Sequence, residues 1–404
     1  MSTLRWTLSI LLFLALLMPG VLEPAPAYAG GVVTVCDEAH LLAALAGGGT
    51  VTFTCSGTIT LTAEIVISAD TTIDGSGQTV TISGNHSVRV FTNSGFTLNL
   101  NELTVANGYA ESGGGIFNDG TLNVNNSIFS GNSTTGYGGG IRNDHGTLNV
   151  NNSIFSGNSS TGLGGGIYNN GTVTLSNCTF SGNSARGGGG ISNNYYGTVE
   201  VSNSTFFANS ATDFGGGLSN LSDVSSPMTV NNSTFSGNSA SSGGTILVFQ
   251  GPVTLRNTIV ANSPTGDNCA GAPITDGGGN LSYPDATCPG INADPVLGPL
   301  QDNGGPTWTM ELGEGSAAID AGDDAICAAA PVNNLDQRGV TRPQGAHCDI
   351  GSVEQITDPT AVNLTGISAQ SASGALPPML VLGLLLVALA SIGVARRGRQ
   401  TDTN

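Results

Sequence analysis

The sequence predicts an all-β fold, a right-handed parallel β-helix, and three observations predict it. An F-x-x-N element recurs at Phe129–Asn132, Phe155–Asn158, Phe180–Asn183, Phe206–Asn209 and Phe235–Asn238, with Ile259–Asn262 as a degenerate sixth, at steps of 26, 25, 26, 29 and 24 residues. A glycine run followed by an aliphatic residue keeps step with it, reaching Ile116, Ile141, Ile167, Ile191, Leu218 and Ile246. Each unit also carries a short alternating stretch, such as Thr121-Leu122-Asn123-Val124 or Thr198-Val199-Glu200-Val201. Period-two alternation bounded by Gly, Asn and Ser reads as strand, and a unit of this length holds two or three strands but no helix. Stacked units put like residues roughly 4.8 Å apart. The phenylalanines are then expected to form an internal aromatic column, and the asparagines three residues later a ladder at the turn.

The elements follow in order. Residues 1–29 read as a secretory signal: Arg5 leads, Leu8 to Leu17 form the apolar core, and Ala27-Tyr28-Ala29 is an A-x-A cleavage site before Gly30. A retained N-terminal membrane helix is the alternative, but Pro19 and Gly20 interrupt the apolar run. Residues 30–112 hold an N-terminal cap and the first coils. Glu38 to Leu45 is expected as a short helix closing the open end of the solenoid, whose edge would otherwise invite aggregation. Residues 113–262 are the repeats. Residues 263–354 lose the repeat and gain proline, and fourteen acidic residues fall between Asp267 and Asp358. A linker at 355–374 leads to Ala375–Ala395, an apolar stretch long enough to span a bilayer, followed by an Arg-rich tail at 396–404. The arginines place the tail in the cytoplasm and the rest outside, a type I membrane anchor.

Residues 30–375 contain six arginines, no lysine and twenty-six acidic residues, a net charge of −20. Such a surface repels nucleic acid and anionic lipid and leaves divalent cations and basic molecules as its electrostatic partners, though acidity also serves solubility alone. Seven cysteines in an exported chain predict disulfides. Sequence neighbours suggest Cys36–Cys55, Cys269–Cys288 and Cys327–Cys348, with longer-range connectivities open. Cys178 is left over. It falls in register with Ser127, Ser153, Ser204, Ser233 and Thr258, so it reads as a buried free thiol in a column of small residues.

The paired GG-x-I and F-x-x-N series resembles the polymorphic outer membrane protein repeats of bacterial surface proteins. That resemblance implies a passenger of the pectate-lyase-like β-helix class, many of which are implicated in adhesion. Nothing downstream reads as an outer-membrane β-barrel, so autotransport is not expected. Cys36-Asp37-Glu38-Ala39 with Leu41 resembles the N-terminal CSLREA region of secreted β-helix proteins. Gly315 to Asp323, Asp336-Gln337-Arg338-Gly339, Arg342-Pro343 and Cys348-Asp349-Ile350-Gly351, closing on Glu354, resemble the choice-of-anchor Q domain, which implies location and no chemistry. The C-terminal layout resembles bacterial sorting signals. Leu376-Pro377-Pro378 lacks the Thr-Gly of a sortase motif, so cleavage stays open.

Catalysis on this fold needs paired carboxylates, or a basic residue beside calcium-holding aspartates. Arg142, Arg186 and Arg256 fall at three different repeat positions. Asp119 and Asp144 occupy equivalent slots in adjacent coils, as a retaining glycosidase pair would, but the same slot holds Asn170 and Asn194 in the next two. A turn column that accepts Asn or Asp accounts for them. His40, His86, His145 and His347 show no metal spacing, and His145 beside Asp144 lacks the rest of a polygalacturonase-like site. Asp320, Asp323 and Asp324 around a glycine are the candidate calcium ligands. Arg338 is expected to pair with Asp336 or Asp349. The sequence thus favours a non-catalytic surface protein, with Tyr137, Tyr168, Tyr195 and Tyr196 available to stack on polysaccharide or to meet a surface protein. A polysaccharide lyase or glycoside hydrolase is the alternative.

Overall fold

The computed structural model describes residues 30–223 and 226–356. The expected secretory signal, the apolar segment 375–395 and the Arg-rich tail lie outside the described residues. Among the described residues no helix is long and apolar enough to cross a membrane.

The chain winds into a parallel β-solenoid, its successive coils feeding three long sheets of eleven, eleven and nine strands and a short fourth of five. The Leu/Val sheet runs from Val32–Val33 to Thr275–Asp276, and the Phe sheet from Gly57–Thr60 to Ile291–Asn292. The Ile sheet runs from Ile65–Ile67 to Cys269–Gly271, and the fourth from Tyr109–Ala110 to Ser210–Phe214. Register is one coil to the next: Leu122 pairs with Leu98 and Leu148, Phe129 with Phe155, and Ile116 with Ile141. Leu122 and Val124 are fully buried while Asn123 between them faces outward, as alternation requires.

Phe129, Phe155, Phe180, Phe206 and Phe235 form the expected column, with ring centroids 4.8, 4.6, 4.7 and 4.5 Å apart. Each ring is fully buried, which stabilises by about 1.5–3 kcal/mol. Glycine is demanded where the chain crosses over this column. A Cβ on Gly166 would sit 2.6 Å from the Gly190 carbonyl and 3.0 Å from the Phe180 ring, and Gly164 turns at φ +70°.

Two asparagine ladders run inside the turns. Asn132, Asn158, Asn183, Asn209 and Asn238 are fully buried and joined by amide-to-amide bonds of 2.9, 2.9, 2.8 and 2.9 Å. The second ladder, Asn93–Asn118–Asn143–Asn169–Asn193–Asn220, carries bonds of 2.9, 2.7, 2.9, 2.8 and 2.9 Å. It runs head to tail, so its two ends are short of partners: the Asn93 Oδ1 and the Asn220 Nδ2 are buried and unbonded. A third set, Asn126, Asn152, Asn177, Asn203, Asn232 and Asn257, turns the chain between the Leu/Val and Phe sheets at φ between 43° and 55°. Asparagine tolerates this left-handed region better than most residues.

The sixth repeat is shifted by one residue from its expected register. Val260, and not Ile259, pairs with Phe235, and Asn262 takes the left-handed slot that Gly237 holds one coil earlier. The Asn268 amide then donates to the Val260 carbonyl, a bond of the kind that Asn238 makes to Phe206. Ile259 and Val260 are both apolar, so the spacing to Asn262 alone points to the wrong frame.

The expected cap is helix α1, Glu38–Leu45, with Leu41 and Ala44 buried against the first coil. Asp37 caps its N-terminus, and the Glu38 carboxylate accepts from the Thr62 N–H at 2.8 Å and hydroxyl at 2.7 Å. The cysteines form the three local pairs, and Cys178 is free and fully buried. Burial pushes its thiol up to about 12, so it stays protonated and inert.

Residues after Asn292 leave the solenoid, make an antiparallel pair (Leu297–Gln301 with Thr309–Leu312) and fold back along the Phe sheet. Gln337 accepts from the Thr205 hydroxyl at 2.7 Å and donates to Thr307 at 2.9 Å. Ser352 donates its N–H to the Thr234 hydroxyl at 2.9 Å. Behind these contacts Arg338 pairs with Asp336 at 2.8 Å, and Arg342, 1% exposed, donates to the Asp349 and Gly351 carbonyls and to Glu354. Burial raises the Asp349 and Glu354 carboxyls above the ordinary range.

Candidate functional site

The outward residues of the Ile sheet build the most chemically varied surface among the described residues. Four successive strands there, beginning at Ile116, Ile141, Ile167 and Ile191, read Ile-x-Asn, with Ile and Asn inward and x on the outer face. The register stacks Thr92, Phe117, Arg142 and Tyr168 in one column. Tyr137, from the preceding loop, stacks on Tyr168 with centroids 4.9 Å apart. The Arg142 guanidinium lies 5.5 Å from the Phe117 centroid, 5.7 Å from Tyr168 and 6.0 Å from Tyr137. From the other side Arg89 sits 5.6 Å from Phe117 and pairs with Glu64 at 2.7 Å. Arginine over aromatic faces is attractive by about 0.5–2 kcal/mol per contact, more as water is excluded.

Polar contacts fix the arginine. It donates to the Ser112 hydroxyl at 2.8 Å and to the Asp144 carboxylate at 2.7 Å, while its Nε is buried without a partner. Asp144 also accepts from the Asn170 amide at 3.2 Å, and His145 stands 3.5 Å away, 70% exposed. Tyr168 is 4% exposed, and burial, followed by repulsion from Tyr195, pushes its phenol up to about 12. Tyr137, Tyr195 and Tyr196 are open to solvent at 39%, 65% and 73%. The result is a rigid ridge of aromatic faces around one cation, rimmed by hydroxyls, amides and carboxylates.

Asp119 and Asp144 do follow the paired Asn118 and Asn143 in successive coils. Asp119 is exposed, whereas Asp144 is held in its ion pair with Arg142. Arg186 lies on the fourth sheet, 3.9 Å from Asp213, both 55% exposed. The candidate calcium ligands each have protein partners: Asp323 caps helix α2, Asp324–Ala328, by accepting from Ala325 and Ile326. Asp324 accepts from the Cys348 N–H at 2.8 Å and faces His347 at 2.9 Å, and Asp320 accepts from the His347 N–H at 3.1 Å. Among the described residues no group of three His, Cys, Asp or Glu side chains converges as a metal site.

Reading single arginines by repeat position missed the ridge, because its partners are aromatic and not basic. The signal was present: Ile116-Phe117-Asn118, Ile141-Arg142-Asn143 and Ile167-Tyr168-Asn169 share one frame. The second asparagine ladder was legible in the same triplets.

The chain matches the Chlamydia polymorphic membrane protein repeat at residues 126–144 and 152–170. Each matched segment contains one F-x-x-N element and the glycine run that follows it, and the first ends on the Arg142–Asp144 pair. No curated protein matches the chain.

Proposed function

The chain carries repeats of polymorphic membrane protein type on a parallel β-solenoid, and from that premise we propose that it is an exported, non-catalytic surface protein that adheres to carbohydrate. The observation that supports this reading is the exposed Tyr137, backed by the buried Tyr168 and set with Phe117 around Arg142, since an open aromatic face with hydroxyl and carboxylate neighbours suits stacking on a sugar ring. The finer parts of the proposal are a right-handed solenoid of the pectate-lyase-like class and a CSLREA-like start. A secretory signal at 1–29 opens the chain, and a choice-of-anchor Q-like end precedes a single-pass membrane anchor at 375–395. The solenoid then serves as a stiff scaffold that presents the ridge at the cell surface. Calcium at Asp320, Asp323 and Asp324 belongs to the same proposal only as a structural ion.

The experiment is retention of the full-length protein on a panel of immobilised neutral and acidic polysaccharides, with Tyr137→Ala and Arg142→Gln as variants and circular dichroism to verify folding. Retention that falls at least tenfold in both folded variants supports the reading. Retention unchanged in both overturns the ridge, and shortened polysaccharide chains detected by mass spectrometry overturn the non-catalytic reading in favour of a lyase or hydrolase at Asp119 and Asp144.

A further inference from the structure

A second site lies where helix α2 folds back against the outer surface of the Leu/Val sheet. A cavity of about 240 Å³ there is lined by Glu200, Asn231 and Arg256 on the sheet and by Ile326, Pro331 and Val332 opposite. A second cavity of about 300 Å³ shares Glu200 and Arg256 and adds Thr174, Thr198 and Thr229.

Both charges interrupt rows that are otherwise neutral from Asn99 and Asn101 onward, Asp74 preceding Asn101 at the far end of the second. The outward row through Glu200 reads Asn123, Asn149, Thr174, Glu200, Thr229 and Thr254. The row through Arg256 reads Asn125, Asn151, Ser176, Ser202, Asn231 and Arg256. The charges therefore enter the rows beside the stretch of this sheet that α2 covers.

Three polar groups in this cleft have no partner among the described residues. Arg89, Arg142, Arg186, Arg338 and Arg342 all form ion pairs, but the half-buried Arg256 guanidinium makes neither an ion pair nor a hydrogen bond. Glu200 likewise forms no ion pair. Asn231 is 5% exposed and its Oδ1 accepts nothing. Half-buried charges and a buried amide oxygen cost free energy when left unsatisfied. Glu200 and Arg256 lie two strands and two residues apart, about 11 Å at the backbone, so a ligand can sit between their heads.

We propose that this cleft binds a small zwitterion, an amino acid with an aliphatic side chain. Glu200 and the Asn231 Oδ1 are acceptors and suit an ammonium, which offers three donors. Arg256 is a fork of donors and takes the carboxylate, in the bidentate geometry that guanidinium favours. Ile326, Pro331 and Val332 supply the apolar wall for the side chain. Residues 30–375 carry a net charge of −20, which repels a free anion but not a ligand whose charges cancel. The site shares no residue with the aromatic ridge, so its fate is independent of the adhesion reading.

The test is isothermal titration of the full-length protein with L-leucine, alongside 4-methylpentanoate, which lacks the ammonium, and isopentylamine, which lacks the carboxylate. Glu200→Gln and Arg256→Gln are the variants, both at outward positions, with melting temperature as the check on folding. The expected result is saturable binding of leucine that weakens at least tenfold in either folded variant and at least tenfold for either half-ligand. Absence of leucine binding at millimolar concentration, variants that bind as the parent does, or a half-ligand that binds as well as leucine would each overturn the proposal.

Discussion

Replacing Asn183 by alanine tests whether the inner ladder is a structural spine. Asn183 is fully buried and its amide enters four hydrogen bonds: it donates to Asn209 at 2.8 Å and to the Phe155 carbonyl at 2.9 Å, and it accepts from the Asn158 side chain at 2.9 Å and backbone N–H at 3.0 Å. Truncation leaves the Asn158 N–H with no acceptor, at about 1–3 kcal/mol, and removes one bond each from three groups that keep another or lie in the sheet, at about 0.5–1.5 kcal/mol apiece. The expected loss is about 2.5–7.5 kcal/mol. The matched control is Asn149→Ala, which removes one 2.9 Å bond to Asn123 on the half-exposed outer row, where water replaces it, and which should stay within about 0.5 kcal/mol. Urea unfolding followed by circular dichroism reads the difference. Amide exchange at Asn158 and Asn183 reads it locally, because a stacked array need not unfold as one unit. If Asn183→Ala cost no more than about 1 kcal/mol above Asn149→Ala, the inner ladder would not be the support inferred here.

Three further outcomes are expected. Ala208 sits at φ +51° in the slot that Gly131, Gly157, Gly182 and Gly237 fill, so Ala208→Gly should raise the unfolding free energy read from urea titration by up to about 1 kcal/mol, the left-handed strain relieved less the added chain entropy. Converting Cys36 and Cys55 to serine opens a loop of sequence separation 19 and should cost about 3 kcal/mol in non-reducing urea titrations, with no such loss if the pair does not form. The Asp324 hydrogen bond raises the His347 pKa, and the same bond lowers Asp324. The raised histidine stabilises fully below its ordinary value of 6.5 and less as pH rises through its folded value. The lowered aspartate stabilises above its ordinary 3.8 and less as pH falls through its folded value. The melting temperature of His347→Gln relative to the parent should therefore dip between those limits and converge outside them, and a constant offset would show that the pair does not titrate as described.

How much of this could be read in advance depends on what each residue answers to. Strand, turn and column positions follow from local spacing, because every coil imposes the same alternation and the same demand for Gly or Asn at its corners. That is why Glu38–Leu45, the phenylalanine column and the buried Cys178 were legible. Where the spacing lost its phenylalanine, two neighbouring apolar residues fitted equally well, and the frame at Ile259 and Val260 was settled only by pairing with Phe235. The aromatic ridge was half legible: its tyrosines stood out, but Arg142 joins them only through register and a loop-borne Tyr137.

The sequence by itself determined the solenoid, its period and its internal columns, because a repeat repeats its own short-range physics. Only the tertiary structure decided what the non-repeating C-terminal stretch does. Gln337 reaches Thr205 across 132 residues, and α2 closes a cleft over Glu200 and Arg256. No local pattern encodes those contacts, since they depend on which outward face a single folded-back chain happens to meet.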